Sequence, residues 1–126
     1  MAANGRGRDD PARAVFALVG DRWSMLILLV LGLGRWRHAE LRRVLGELAS
    51  EGRISQRVLT EKLRALRRNG FVSREATLDV PPRVSYELTA LGQQLLERSR
   101  RLLDWIQSER PAIDAARAAF DCDETA

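Results

Sequence analysis

The chain has 126 residues, 45% of them apolar and 30% charged, which suits one domain with a buried core and excludes both general disorder and a two-domain layout. A single cysteine, Cys122, excludes an intramolecular disulfide framework and a thiolate metal cluster. The formal charge of +4 is unevenly spread: residues 35–70 hold ten basic and four acidic side chains (net +6), and residues 101–126 hold three basic and six acidic (net −3). All basic residues but Lys62 are arginine, a bias that a GC-rich coding genome explains in part. The asymmetry centres the positive field on the middle of the chain, where a nucleic-acid surface is expected.

Residues 1–9 are small, polar and basic, and read as a flexible N-terminal arm that either frays or touches DNA. Asp10-Pro11 starts a helix, with a capping carboxylate before proline at the first helical position. That helix turns Val15, Leu18 and Val19 inward and ends at Gly20. Asp21 caps a second helix, residues 22–31, which is apolar nearly all round and so must be covered on every side. The longest uncharged run, residues 23–34, is too short to cross a bilayer. With no signal peptide in view, a cytoplasmic protein with no membrane association is expected.

Residues 37–45 form a short amphipathic helix closed by Gly46. Residues 47–53 carry mixed signals and read either as an extra turn of that helix or as a loop. Next comes Ile54-Ser55-Gln56-Arg57-Val58-Leu59-Thr60-Glu61-Lys62-Leu63-Arg64-Ala65-Leu66-Arg67-Arg68-Asn69-Gly70. Ser55 caps its first turn and Asn69-Gly70 stops it. At 100° per residue, Val58, Leu59, Leu63 and Leu66 share one face, while Arg57, Thr60, Glu61, Arg64 and Arg68 project from the other. Alone, such a stripe is usually a solvated face, and its setting must decide.

From Phe71 the pattern alternates with period two, giving strand candidates at 71–77 and 83–88. Leu78-Asp79-Val80-Pro81-Pro82 lies between them, and its prolines stiffen a hairpin tip. Thr89 caps a long helix from Ala90 to about Ser108, with Leu91, Leu95, Leu102, Leu103 and Ile106 at core-like spacing. Pro111 interrupts it. Residues 112–120 make a short last helix, followed by an acidic tail. The expected division is an arm (1–9), a main domain (10–110), and a short C-terminal helix with its tail (111–126).

A short helix, then a basic helix, then a two-stranded hairpin is the order of a winged helix-turn-helix. The expected fold is mainly α with a small β-hairpin. The first helix braces the second in the major groove, and the hairpin is a wing whose Arg83 is placed to meet a minor groove or a phosphate. Phosphate contacts are expected from Arg42, Arg43, Arg53 and the wing. Base reading is expected from the first turns of the basic helix, at Gln56, Arg57, Thr60 and Arg64, with Ser55 at its start. One histidine and one cysteine, far apart, form no catalytic or metal-binding constellation, and no glycine-rich phosphate loop is present. No enzyme activity and no cofactor are expected. Acidic neighbours at Asp121, Asp123 and Glu124 disfavour a reactive Cys122 thiolate.

Four segments together resemble HxlR-type transcriptional regulators: Gly20-Asp21-Arg22-Trp23 with Ile27-Leu28, Glu40-Leu41-Arg42-Arg43, Ile54 to Leu63, and Val80-Pro81-Pro82-Arg83-Val84-Ser85-Tyr86-Glu87-Leu88-Thr89-Ala90-Leu91-Gly92. The resemblance implies a bacterial homodimer, joined through N- and C-terminal helices, that binds two-fold related sites in double-stranded DNA. On that pattern Val15, Leu18, Trp23, Leu102, Trp105 and Ile106 belong to the dimer interface. Three departures matter. Relatives that sense oxidants carry a cysteine just before the first helix, where this chain has Asp10, so a redox switch of that type is unsupported. His38 replaces a usual aromatic and reads as a core-edge histidine rather than a sensor. Residues 47–52 look like an insertion that affects how the domain docks on DNA. Trp36, outside the pattern, either lines a small-molecule pocket or covers a helix junction; the second is preferred. The rival readings are a ligand-responsive regulator of the MarR or PadR sort, whose effector the sequence does not name, a protein–protein adaptor, and a nonspecific architectural DNA binder.

Overall fold

The computed structural model describes residues 10–49 and 52–125. The expected N-terminal arm lies outside them. Six helices and three short strands follow in the order α1 (Pro11–Val19), α2 (Arg22–Leu31), β1 (Trp36–Arg37), α3 (His38–Leu48), α4 (Gln56–Arg68), β2 (Val72–Ala76), β3 (Val84–Leu88), α5 (Ala90–Ser108) and α6 (Arg110–Thr125). The fold is mainly α-helical with a winged helix-turn-helix arrangement. Of the described residues, those up to Leu96 form one compact unit, and those from Glu97 onward form a second.

In the first unit the core is built around α2, as its all-round apolarity requires. Ile27, Leu28, Val30 and Leu31 are buried, and α2 packs against α1, α3, α4 and β3. Leu41 and Leu45 of α3 and Leu59, Leu63 and Leu66 of α4 complete the interior. The caps read from the sequence form. Asp10 accepts from Ala12 N–H at 2.8 Å, Asp21 from Ser24 N–H at 2.9 Å, and Ser55 from Val58 N–H at 3.1 Å. Gly70 takes φ +85 after α4, the left-handed conformation for which glycine is suited.

Several elements differ from expectation. The hairpin is part of a three-stranded antiparallel sheet in the order β1-β3-β2. Strand β1 is only two residues long, pairing Trp36 with Tyr86 and Arg37 with Ser85, too short to leave an alternation in the sequence. Trp36 covers a junction: its indole N–H donates to Val30 O at 3.0 Å, at the end of α2. Gly46 does not close α3, which continues through Glu47 to Leu48. Gly46 does not take the left-handed conformation that ends a helix, so it weakens α3 without stopping it.

In the second unit α6 runs to Thr125, longer than the expected 112–120. Pro111 stands at its second position, where the missing N–H breaks no intrahelical bond. The Thr125 hydroxyl donates back to Asp121 O at 3.1 Å and Cys122 O at 3.0 Å, and the acidic residues are helical. The core-like spacing along α5 also misled. Leu102, Leu103 and Ile106 are exposed here, and on the stretch of α5 within the first unit Leu91 is exposed and Leu96 is buried.

One tie joins α2 to α4. Lys62 Nζ donates to Asp21 Oδ1 at 3.1 Å, with both side chains about one-third exposed. Asp21 therefore caps α2 and anchors the rear of α4 together. Burial pushes its carboxyl up, but hydrogen bonds from the Ser24 hydroxyl and N–H and from Lys62 outweigh this and hold it below its ordinary value. A carboxyl depressed in the folded state contributes stability above its unfolded value and loses it as pH falls through the folded one. Asp21→Ala should cost about 1–2 kcal/mol at neutral pH. In urea titrations the gap between wild type and variant should narrow as the acid range is entered. A gap independent of pH would show that the charge of Asp21 contributes nothing.

Candidate nucleic-acid interface

Helix α4 presents the two faces its periodicity predicts. Leu59, Leu63 and Leu66 are buried, whereas Gln56, Arg57, Thr60, Glu61, Arg64, Arg67 and Arg68 are exposed. With its apolar side set into α2 and β2, the helix turns its polar side outward. Arg57 is 88% exposed at its side chain, and its Nε donates to Glu61 Oε1 at 3.1 Å, one turn on. That bond uses the inner N–H of the guanidinium and leaves both terminal amino groups unengaged by it. Arg64 has no hydrogen-bond or ion-pair partner among the described residues. The Ser55 hydroxyl is committed to its cap, so its expected DNA role is shared with a structural one.

Arg53, ten residues on, joins Arg42 and Arg43 in lining one depression of about 530 Å³, together with Ala39, Gly46 and Ile54. They do not stand alike within it. Arg42 Nε donates to Ile54 O at 3.0 Å, which ties α3 to the residue that leads into α4. Arg43 faces Glu47 at 3.7 Å on the surface of α3, an exposed pair of little energetic weight. Arg53 is exposed.

Arg83 is at the base of the wing loop rather than at its tip. Thr77 N–H donates to Arg83 O, and Arg83 N–H to Thr77 Oγ1, each at 2.9 Å, closing the loop. The Arg83 guanidinium donates from Nε to Asp79 Oδ2 at 2.8 Å, with Nη2 on the same oxygen. The tip itself is apolar, with Leu78 and Val80 fully exposed.

Two members of a second cationic stretch, Arg67 and Arg74, were missed. Arg64, Arg67 and Arg68 of α4 and Arg74 of β2 line a groove of about 860 Å³ floored by Leu63, Val72 and Tyr86. The signal was available: Arg74 pairs across the sheet with Tyr86, so it shares the face turned toward α4. Between α3 and α4, His38 Nε2 lies 3.1 Å from Thr60 Oγ1, and its ring centre is 6.2 Å from that of Tyr86. Burial, with the charge of Arg42, holds the His38 imidazole below its ordinary value, which favours the uncharged ring. The core-edge position expected for it is what the structure has.

The expected dimer residues divide. Leu18 is only 7% exposed within the single chain, where the inward side of α1 carries it into the core. Val15 and Trp23 are half-buried against the same core. Leu102, Trp105 and Ile106 are exposed on α5, at 48%, 60% and 38%. Among the described residues no group of histidine, cysteine and carboxylates could hold a metal ion. No single helix there is long and apolar enough to cross a membrane.

Known proteins share this architecture. The E. coli HTH-type transcriptional regulator YtfH is 40% identical over 107 residues, which is 85% of this chain and 80% of that one. A solved structure described as the transcriptional regulator ytfH from Salmonella typhimurium superposes with a TM-score of 0.68 at 35% identity, covering 93% of this chain and 99% of the other. A structure described as a MarR-family transcriptional regulator from Enterococcus faecalis V583 gives 0.65 at 31% identity, with the same coverage. The family model for the HxlR-like helix-turn-helix matches residues 18–114, which span α2, the helix-turn-helix, the wing and α5. The chain belongs to the HxlR-like helix-turn-helix family, a family of winged-helix DNA-binding transcriptional regulators.

Proposed function

We propose that this protein is a cytoplasmic regulator that binds a two-fold related operator as a homodimer, with α4 of each subunit in the major groove. The observation that carries this reading is the exposed row Gln56, Arg57, Thr60 and Arg64 on a helix whose rear is fixed by Leu59, Leu63 and the Lys62–Asp21 bridge. Arginine can bond a guanine edge through two N–H groups and glutamine an adenine edge, so these side chains supply sequence choice. Arg43 and Arg53 beside α3, and Arg67 and Arg74 between α4 and the sheet, supply phosphate contacts that set affinity and register. Arg42 acts chiefly by holding the start of α4, and Arg83 by shaping the wing loop. Selection of bound sequences from random DNA tests the reading. Two inverted half-sites, about 34–36 Å apart centre to centre or a multiple of that, are expected. Recovery of no consensus would overturn it.

Exposed Leu102, Leu103, Trp105 and Ile106 support the dimer, because four large apolar side chains on one helix are seldom left in water. Trp105 is 60% exposed within the chain, so Trp105→Glu should leave the fold of the protomer intact. Sedimentation should show the dimer shifted to monomer, and operator affinity should fall at least tenfold. A variant that stays dimeric would place the interface elsewhere.

A further inference from the structure

The bond between His38 and Thr60 sits inside the reading surface, and it has a chemical consequence. His38 opens α3, the bracing helix, and Thr60 lies 22 residues later on the exposed face of α4. A threonine hydroxyl has one proton and two lone pairs, so on a free rotor it can donate to a base edge or accept from one. Such a side chain discriminates poorly. A fixed inner partner removes that freedom. With Nε2 bare, the hydroxyl proton is spent inward, and the outward lone pair accepts from an amino group such as adenine N6 or cytosine N4. With Nε2 carrying its proton, the hydroxyl proton is turned outward, toward an acceptor such as guanine O6 or thymine O4.

We propose that His38 is a positioning residue for DNA recognition: by holding Thr60 Oγ1 it fixes the sense of the threonine's outward hydrogen bond, and so the base chosen where Thr60 meets the major groove. The ring is half-buried with Tyr86 beside it, which limits how Nε2 can turn. The inference rests on the assignment of α4 as the reading helix.

The test is selection from random DNA with the full chain and with His38→Phe, His38→Gln, Thr60→Val and the His38→Phe/Thr60→Val pair. Phenylalanine keeps an aromatic ring beside Tyr86 and removes the nitrogen; should it unfold the chain, His38→Leu serves the same comparison. Thr60→Val should relax the preference at one base pair in each half-site. His38→Phe should relax the same base pair two- to tenfold and no other, and the double variant should do no more than Thr60→Val alone. His38→Gln, whose side-chain amide can reach the hydroxyl, should restore a preference there. If His38→Phe leaves that base pair unaffected while Thr60→Val relaxes it, or if the two effects add, the positioning role is wrong and the reading helix stands. Failure of His38→Gln to restore any preference would also overturn the role. If Thr60→Val relaxes no base pair, Thr60 reads nothing and the positioning role falls, while the reading face of α4 stands or falls on Gln56, Arg57 and Arg64.

Discussion

Gly92→Ala should destabilise the winged unit by about 3 kcal/mol or more, lowering its urea midpoint without an equal change in slope. Ordinarily the exchange helps a helix, by roughly 1 kcal/mol, because alanine has less backbone entropy to lose. Here the packing reverses the sign. A Cβ on Gly92 would lie 2.0 Å from Phe71 O and 3.0 Å from its carbonyl carbon, and neither is the tip of a flexible side chain. The same carbonyl accepts from Thr89 N–H at 3.0 Å, and the Thr89 hydroxyl donates to Gly70 O at 2.6 Å. Moving Phe71 to make room therefore disturbs the anchorage of α5 and the end of α4 together. Gly20→Ala is the control. Its Cβ would meet Phe16 O at 3.5 Å, an ordinary contact, and φ there is −83. It should be neutral within about 1 kcal/mol. Equal effects at the two glycines would refute the close approach.

Arg57→Ala should reduce operator binding roughly 5- to 150-fold for each half-site, which is about 1–3 kcal/mol for a lost bidentate base contact. Binding to unrelated DNA should fall far less, since only one charge is removed and the salt slope drops by about 0.9 per phosphate contact. The bond from Arg57 Nε to Glu61 leaves the two terminal amino groups to form a fork. Glu61→Ala should accordingly weaken operator binding less than Arg57→Ala, by loosening that fork rather than removing it. Binding titrations on operator and random duplexes at several salt concentrations separate these effects. An Arg57→Ala protein that loses operator and random binding by equal factors would make Arg57 a phosphate contact.

How much of this was legible in the chain depends on range. Caps, stops and helix faces are set within a few residues, and Asp10, Asp21, Ser55, Thr89 and Gly70 all act where local chemistry places them. Strand β1 was invisible because two residues carry no period, and its partner, β3, lies some 50 residues away. The α5 leucines followed a core spacing, yet spacing alone does not say what covers a helix face. For the site, the exposed row on α4 could be read from its own sequence. The partners of Arg42 and of His38 could not, because each bond spans 12 or 22 residues and depends on how α3 meets α4. The Arg83–Asp79 pair lies in a loop, where a spacing of four does not by itself bring two side chains together as it does on a helix.

The placement of α4 in the major groove is tested most directly by methylation interference on the selected operator. Guanine N7 faces the major groove, whereas adenine N3 faces the minor one. Methylation of particular guanines at N7 should block binding in both half-sites, at positions related by the two-fold axis, and Arg57→Ala should lose the block at one guanine in each. Binding indifferent to N7 methylation, with interference confined to adenine N3, would contradict the assignment of α4 as the reading helix.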